Sequence, residues 1–156
     1  MNNYSEALSA AAGYCSLSEH CTSEVIEKVK RFDLTPDDLE KLIKRLKDEG
    51  YLNENRYVKA FVKDKFRFSK WGRIKIRYAL RQKGISSTLA DEGLAEISDD
   101  DYREMLISLL RIKKPSIKAN SPYELRGKLL RFAAGRGFEL DLTGSCLKEM
   151  GMDDEE

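Results

Sequence analysis

Arg73-Ile-Lys-Ile-Arg-Tyr-Ala-Leu-Arg-Gln-Lys-Gly84-Ile85 reads as a short amphipathic helix with a defined stop, and its counterparts elsewhere in the chain decide the fold. Ile76 and Leu80 are four residues apart and share a helix face, which makes them its apolar stripe. Gly84 can take the left-handed conformation that ends a helix, and Ile85 then falls where the closing hydrophobic contact is made. The same stripe returns on both sides. Val25, Ile76 and Leu125 correspond, as do Val29, Leu80 and Leu129, at offsets of 51 and 49 residues, while Ile43, Leu94 and Leu147 repeat at 51 and 53. A period of roughly fifty residues is the size of one small helical repeat unit.

The helix signals give nine helices in three groups of three: residues 1–52, a strongly basic 53–97, and 98–151, followed by an acidic tail, 152–156. In the first group Leu8, Ala11, Ala12 and Cys15 form one stripe, and Val25, Ile26, Val29 and Phe32 a second, on a helix that starts after Thr22 or Ser23. Thr35 caps a third helix that has Pro36 in its first turn, carries Leu39, Leu42, Ile43 and Leu46, and stops at Gly50. In the second group Asn53 caps a helix with a Tyr57, Phe61, Phe68 stripe, Ser69-Lys-Trp-Gly72 breaks the chain, and Leu89, Leu94 and Ile97 complete the group. The third group opens with Ser98-Asp-Asp-Asp101 ahead of Tyr102, Met105, Leu106, Leu109 and Leu110. It continues through the capping box Ser121-Pro-Tyr-Glu124 into Leu125, Leu129 and Phe132, and ends on Leu142, Cys146, Leu147 and Met150. One such unit buries little apolar surface alone, and stacking neighbours extends the core. The expected fold is all-α: three tandem three-helix, helix-turn-helix-like repeats stacked into an elongated, curved molecule.

The 156 residues, 41% hydrophobic and 35% charged with a mean hydropathy of -0.55, fit a helical protein with heavily ionised surfaces. No stretch approaches the roughly 20 apolar residues of a membrane span. The start, Met1-Asn-Asn-Tyr-Ser-Glu, lacks the basic and apolar regions of a signal peptide, so a cytoplasmic location with no membrane contact is expected. Cys15, Cys21 and Cys146 are odd in number and read as reduced thiols. His20 is the sole histidine, too few ligands for zinc beside Cys15 and Cys21. Gly144-Ser-Cys146 is not a nucleophile elbow, and Gly135-Arg-Gly137 falls short of a phosphate loop. No cofactor, no metal and no catalysis are expected.

Charge is distributed unevenly. From Arg56 to Lys83 there are eleven Lys or Arg and one acid, Asp64; of the chain's 28 basic and 27 acidic residues, 17 and 26 lie outside it. The total of +1 therefore resolves into +10 in the middle and −9 in the remainder. A polyanionic or acidic partner for the middle follows, against the plainer reading of a basic solvated helix face.

The middle segment also carries a family pattern. Gly50-Tyr-Leu-Asn-Glu-Asn-Arg-Tyr57, then Ala60-Phe61, then Gly72-Arg-Ile-Lys-Ile-Arg-Tyr-Ala-Leu-Arg-Gln-Lys-Gly-Ile85 resembles the signature of the bacterial RecX regulatory proteins. That signature is a Gly-Tyr-Leu turn, an acidic pair followed after one residue by Arg and an aromatic, and a glycine-led basic helix closing with Lys-Gly-Ile. Length and module number agree over essentially the whole chain. Two departures stand out: Asn53-Glu54 replaces two aspartates, and Lys28-Val-Lys-Arg-Phe-Asp-Leu34 lacks the Lys-Gly-aromatic turn the family often has there.

The resemblance implies a non-catalytic monomer acting in DNA recombination, repair and the SOS response. Such proteins bind the RecA nucleoprotein filament along its groove and lower its ATP hydrolysis, strand exchange and co-protease activity. The competing reading is an autonomous helical nucleic-acid-binding protein. Candidate contacts to RecA or to single- or double-stranded DNA are Arg56, Lys59, Lys63, Lys65 and Arg67 on the first basic helix, Lys70 in the break, and Arg73, Lys75, Arg77, Arg81 and Lys83 on the second. Trp71 reads as a packed plug or a stacking ring, and Phe61, Phe66 and Phe68 as core. Ile74 and Tyr78 are expected at an interface between modules.

Overall fold

The structure, a computed structural model, describes residues 3–152. The acidic residues 153–156, expected to fray, lie outside that range. Among the described residues the chain is all-α: α1 (Tyr4–Leu17), α2 (Thr22–Val29), α3 (Pro36–Asp48), α4 (Glu54–Arg67), α5 (Arg73–Gln82), α6 (Ser87–Leu94), α7 (Asp99–Lys113), α8 (Pro122–Gly135) and α9 (Leu140–Glu149). Single 3-10 turns follow α2 (Lys30–Phe32) and α7 (Lys114–Ser116). The helix number is the expected one, and α1–α3 and α7–α9 each pack together as a group of three.

Local chemistry sets the helix ends. Thr35, Ser98 and Ser121 each accept, through the side-chain hydroxyl, the backbone N–H three residues on, at 3.1, 3.0 and 3.0 Å, and the Asn53 side-chain oxygen does the same for Arg56 at 3.1 Å. Each such cap is worth about 1 kcal/mol. Gly50, Gly84 and Gly137 close α3, α5 and α8 at φ of 80, 82 and 93°. In each case the following residue donates to the carbonyl five back: Tyr51 to Leu46, Ile85 to Leu80, Phe138 to Ala133. After α2 the same left-handed role falls to Asp33 at φ 51°. An aspartate tolerates that conformation better than most residues, so the turn survives in the first repeat without its glycine.

The chain packs as two compact units, one made of the chain through Phe61 with Leu80–Gly93, the other of Val62–Ala79 with the chain from Leu94. In the first, α1, α2 and α3 pack around Ala7, Ala11, Cys15, Val25, Val29, Leu42, Leu46 and Leu52. The α1 stripe is thus centred on Ala7, Ala11 and Cys15, leaving Leu8 and Ala12 at its edge. Ile26, expected in the core, is 40% exposed because Val25 and Val29 already occupy the inward face. It lines an open groove with Leu39 and Ile43.

In the second unit α7, α8 and α9 pack on one another. Tyr102, Leu106, Leu110, Leu129, Phe138, Cys146 and Leu147 are almost fully buried, and each large apolar side chain contributes about 1.5–3 kcal/mol. Phe66, Tyr102 and Phe138 form a ring chain with centroids 5.9 and 5.1 Å apart. The buried residues of α4 are Tyr57, Val58, Val62 and Phe66, whereas Phe68 is 78% exposed. Helix α4 ends at Arg67, so Phe68 leaves the stripe that the sequence spacing assigned to it.

Candidate partner-binding surface

The start of α5 is built into the second unit. Gly72 donates its N–H to the Arg136 carbonyl at 2.7 Å, Arg73 to the Tyr102 hydroxyl at 2.9 Å, and Ile74 to the Gly137 carbonyl at 3.0 Å. Both glycines are needed for this approach. A Cβ on Gly72 would sit 2.4 Å from the Gly137 backbone, and one on Gly137 would sit 2.4 Å from Cβ of Lys75. Three of the N–H groups that this helix start could offer to an anion, those of Gly72, Arg73 and Ile74, are therefore already used.

Arg73, a candidate partner contact, works inside this unit. Its guanidinium stacks on the Tyr102 ring at 3.7 Å and pairs with Glu139 at 3.1 Å and Asp99 at 3.0 Å. The Tyr102 hydroxyl donates to Glu139. Burial and that hydrogen bond to a carboxylate hold the Tyr102 phenol above the ordinary tyrosine range, so it stays a donor.

Two more candidates are tied down in the first unit. Arg56 pairs with Glu19 at 3.0 Å and donates to the Gly50 carbonyl at 2.7 Å, satisfying the end of α3. Lys83 pairs with Glu24 at 3.0 Å, and its carbonyl accepts the Ser23 hydroxyl at 2.7 Å. Burial opposes ionisation of Glu24, but hydrogen bonds from His20, Lys83 and the Cys21 N–H outweigh it and hold the carboxyl below its usual range. The hydrogen bond to Glu24 in turn raises Lys83. His20 bonds Ser18 and Glu24 through its two ring nitrogens, at 3.0 and 2.9 Å, while stacking on Tyr14 at 3.6 Å. Its role is architectural.

The remaining candidates differ in exposure. Lys59 and Arg81 in the first unit, and Lys63, Arg67 and Lys70 in the second, are exposed; Lys65, Lys75 and Arg77 are half-buried. Lys65 and Lys75 place their ammonium groups over the Trp71 ring at 4.8 and 4.7 Å. Half-buried Trp71 is therefore a packed plug that holds two cations, each contact worth about 0.5–1 kcal/mol. Ile74 and Tyr78, expected at a module interface, are instead 51% and 62% exposed, because Ile76 and Leu80 take the inward face of α5. Arg67 and Lys70 rim a groove of about 450 Å³ that also carries Asp101 and Glu104. The second unit thus exposes cations at Lys63, Arg67 and Lys70 and apolar side chains at Phe68, Ile74 and Tyr78, groups suited to phosphates or carboxylates and to apolar contact.

One feature escaped the sequence reading. The remainder of the chain is not uniformly acidic: from Arg111 to Phe138 there are eight Lys or Arg against the single acid Glu124. A running charge sum reveals it, whereas the pooled total hides it between acidic neighbours.

Comparison with known proteins agrees with the pattern of the middle repeat. A family model described as RecX, second three-helix domain, matches residues 53–94. Regulatory protein RecX of Prosthecochloris aestuarii is 31% identical over 145 residues, 93% of each chain. That of Chlorobium phaeobacteroides is 35% identical over 121 residues, 78% of each. The chain spans 60% of the longer Clostridium beijerinckii protein of the same name, at 30% identity. Among solved structures, RecX from Lactobacillus salivarius superimposes with a TM-score of 0.88 over 96% of this chain and 97% of that one, at 23% identity.

Proposed function

The chain belongs to the RecX family of regulatory proteins, and from that premise we propose that it is a non-catalytic regulator that binds the RecA nucleoprotein filament and inhibits RecA's ATP hydrolysis, strand exchange and co-protease activity. The observation that carries this reading is likeness to a named regulator along 93% of both chains. The site supports it with exposed cations at Lys59, Lys63, Arg67, Lys70 and Arg81, which suit filament-bound DNA phosphates or acidic protein surface. Exposed Ile74 and Tyr78 on the same basic helix add apolar area that a protein partner would bury. The work would take place in the cytoplasm during DNA recombination and repair. Titrating the protein into its cognate RecA on single-stranded DNA and following ATP turnover tests the proposal. Turnover should fall to a plateau, and unchanged turnover at saturating protein would sink it.

A further inference from the structure

We propose that the third repeat carries its own track for a nucleic-acid phosphodiester backbone, running from Arg136 past Lys113 to Lys128 and Lys118. This goes beyond the RecA reading, which invokes only the middle repeat.

The fold gathers cations that are scattered in sequence, all within one unit. Arg136 donates to the Ser69 carbonyl at 3.4 Å, and its own carbonyl accepts the Gly72 N–H at 2.7 Å, so the end of α8 abuts the break that holds Lys70. Lys113, from the end of α7, and Arg136 both lie over the Phe132 ring, at 5.3 and 5.4 Å. One turn earlier on α8, Lys128 donates to the Lys118 carbonyl at 2.6 Å, which brings the α7–α8 connection alongside. Arg131, three residues after Lys128, is exposed, as is Lys118.

These cations keep most of their charge unbalanced. Lys113 and Arg136 rest on a neutral ring, and Arg136 also on a carbonyl oxygen. Lys128 has a carboxylate partner, Glu124 at 3.1 Å, the single acid of the segment. A polyanion is the complement of such a surface. Lysine is depleted from protein–protein interfaces, whereas lysine and arginine dominate contacts to phosphate, so the richness in lysine favours nucleic acid over an acidic protein face. Tyr123 at the start of α8, 62% exposed, offers a ring on which a base can stack.

The test measures binding of a fluorescein-labelled oligothymidylate to the full chain, without RecA, over a salt series. A Lys113→Gln, Lys118→Gln, Arg131→Gln protein should keep its helicity by circular dichroism and bind more weakly, with a log-log salt slope shallower by about 2, at ~0.7 per phosphate contact. Glu124→Gln should bind more tightly with a steeper slope, a gain that misfolding does not mimic. The proposal is overturned if both variants keep the wild-type slope, or if the wild-type protein does not bind the oligonucleotide at low salt. It is equally overturned if the triple variant loses affinity for a RecA filament alone, which would make the partner an acidic protein surface. RecA turnover read in parallel separates the two readings, since protein that binds oligothymidylate through these cations yet leaves RecA untouched sinks only the earlier one.

Discussion

Arg73 grips Tyr102 at two points: its guanidinium carbon lies 3.7 Å from the ring centroid, and its backbone N–H donates to the same residue's hydroxyl at 2.9 Å. The first cation of the basic helix thereby fixes α5 to α7, and Glu139 ties the pair to α9. Counting it as free positive charge overstates what the surface offers a partner.

Tyr102→Phe should destabilise the protein by about 1–3 kcal/mol, because it leaves the Arg73 N–H and a Glu139 oxygen without their partner in a part-buried site. Urea unfolding followed at 222 nm would measure it. A variant as stable as wild type would mean that water replaces the hydroxyl at no cost.

The turn glycines should respond in a definite order. Gly84→Ala meets no atom within 4 Å and bears only the left-handed backbone penalty of φ 82°, about 1 kcal/mol. Gly137→Ala adds a Cβ 2.4 Å from Lys75 and should cost clearly more. Asp33→Gly, at φ 51°, should be neutral or stabilising. Equal losses for the two alanine variants would contradict the close packing of α8 on α5.

What was legible in the sequence was local. Caps at Thr35, Ser98 and Ser121 and the glycine stop at Gly84 depend on residues within one turn, so repeat period and helix ends followed directly. The fate of each cation depends on partners far along the chain: Glu139 is 66 residues from Arg73, and Glu24 is 59 from Lys83. Single-residue errors had large effects at stripe edges, where Phe68 lies just past the end of α4 and Ile26 sits one position from the inward Val25. Charge at Lys113, Lys118 and Lys128 was readable, but the meeting of Lys113 and Arg136 over Phe132, and of Lys128 with the α7–α8 connection, required the fold.

The Glu24–Lys83 pair should give stability a plateau in pH. The Glu24 carboxyl is held below its ordinary value in the folded chain, so its contribution is complete above about pH 4.3, the unperturbed glutamate value, and is lost as pH falls through the lower folded one. Lys83 is raised, so its contribution is complete below about pH 10.4 and is lost as pH rises through the higher folded value. Unfolding free energies across this range should be flat in the middle and fall on both sides. Glu24→Gln should remove part of the acid limb, and an unaltered limb would assign it to other carboxylates.

Charge on the middle repeat should carry partner binding, and the structure dictates which residues test it. Replacing Arg73 would break the Tyr102 clamp, and replacing Arg56 or Lys83 would remove ion pairs to Glu19 or Glu24, so loss of binding in those variants could reflect damage to the fold. Lys59, Lys63, Arg67 and Arg81 are exposed positions on α4 and α5, and Gln is a good helix former. Their joint replacement by Gln should leave helicity nearly intact while affinity for the RecA filament falls sharply. If all four reach single-strand phosphates, the log-log salt slope should flatten by roughly 3 units. A folded variant that keeps both filament affinity and salt slope would make this a solvated face, and would move the binding contact to the exposed Ile74 and Tyr78 or to the cations around Phe132.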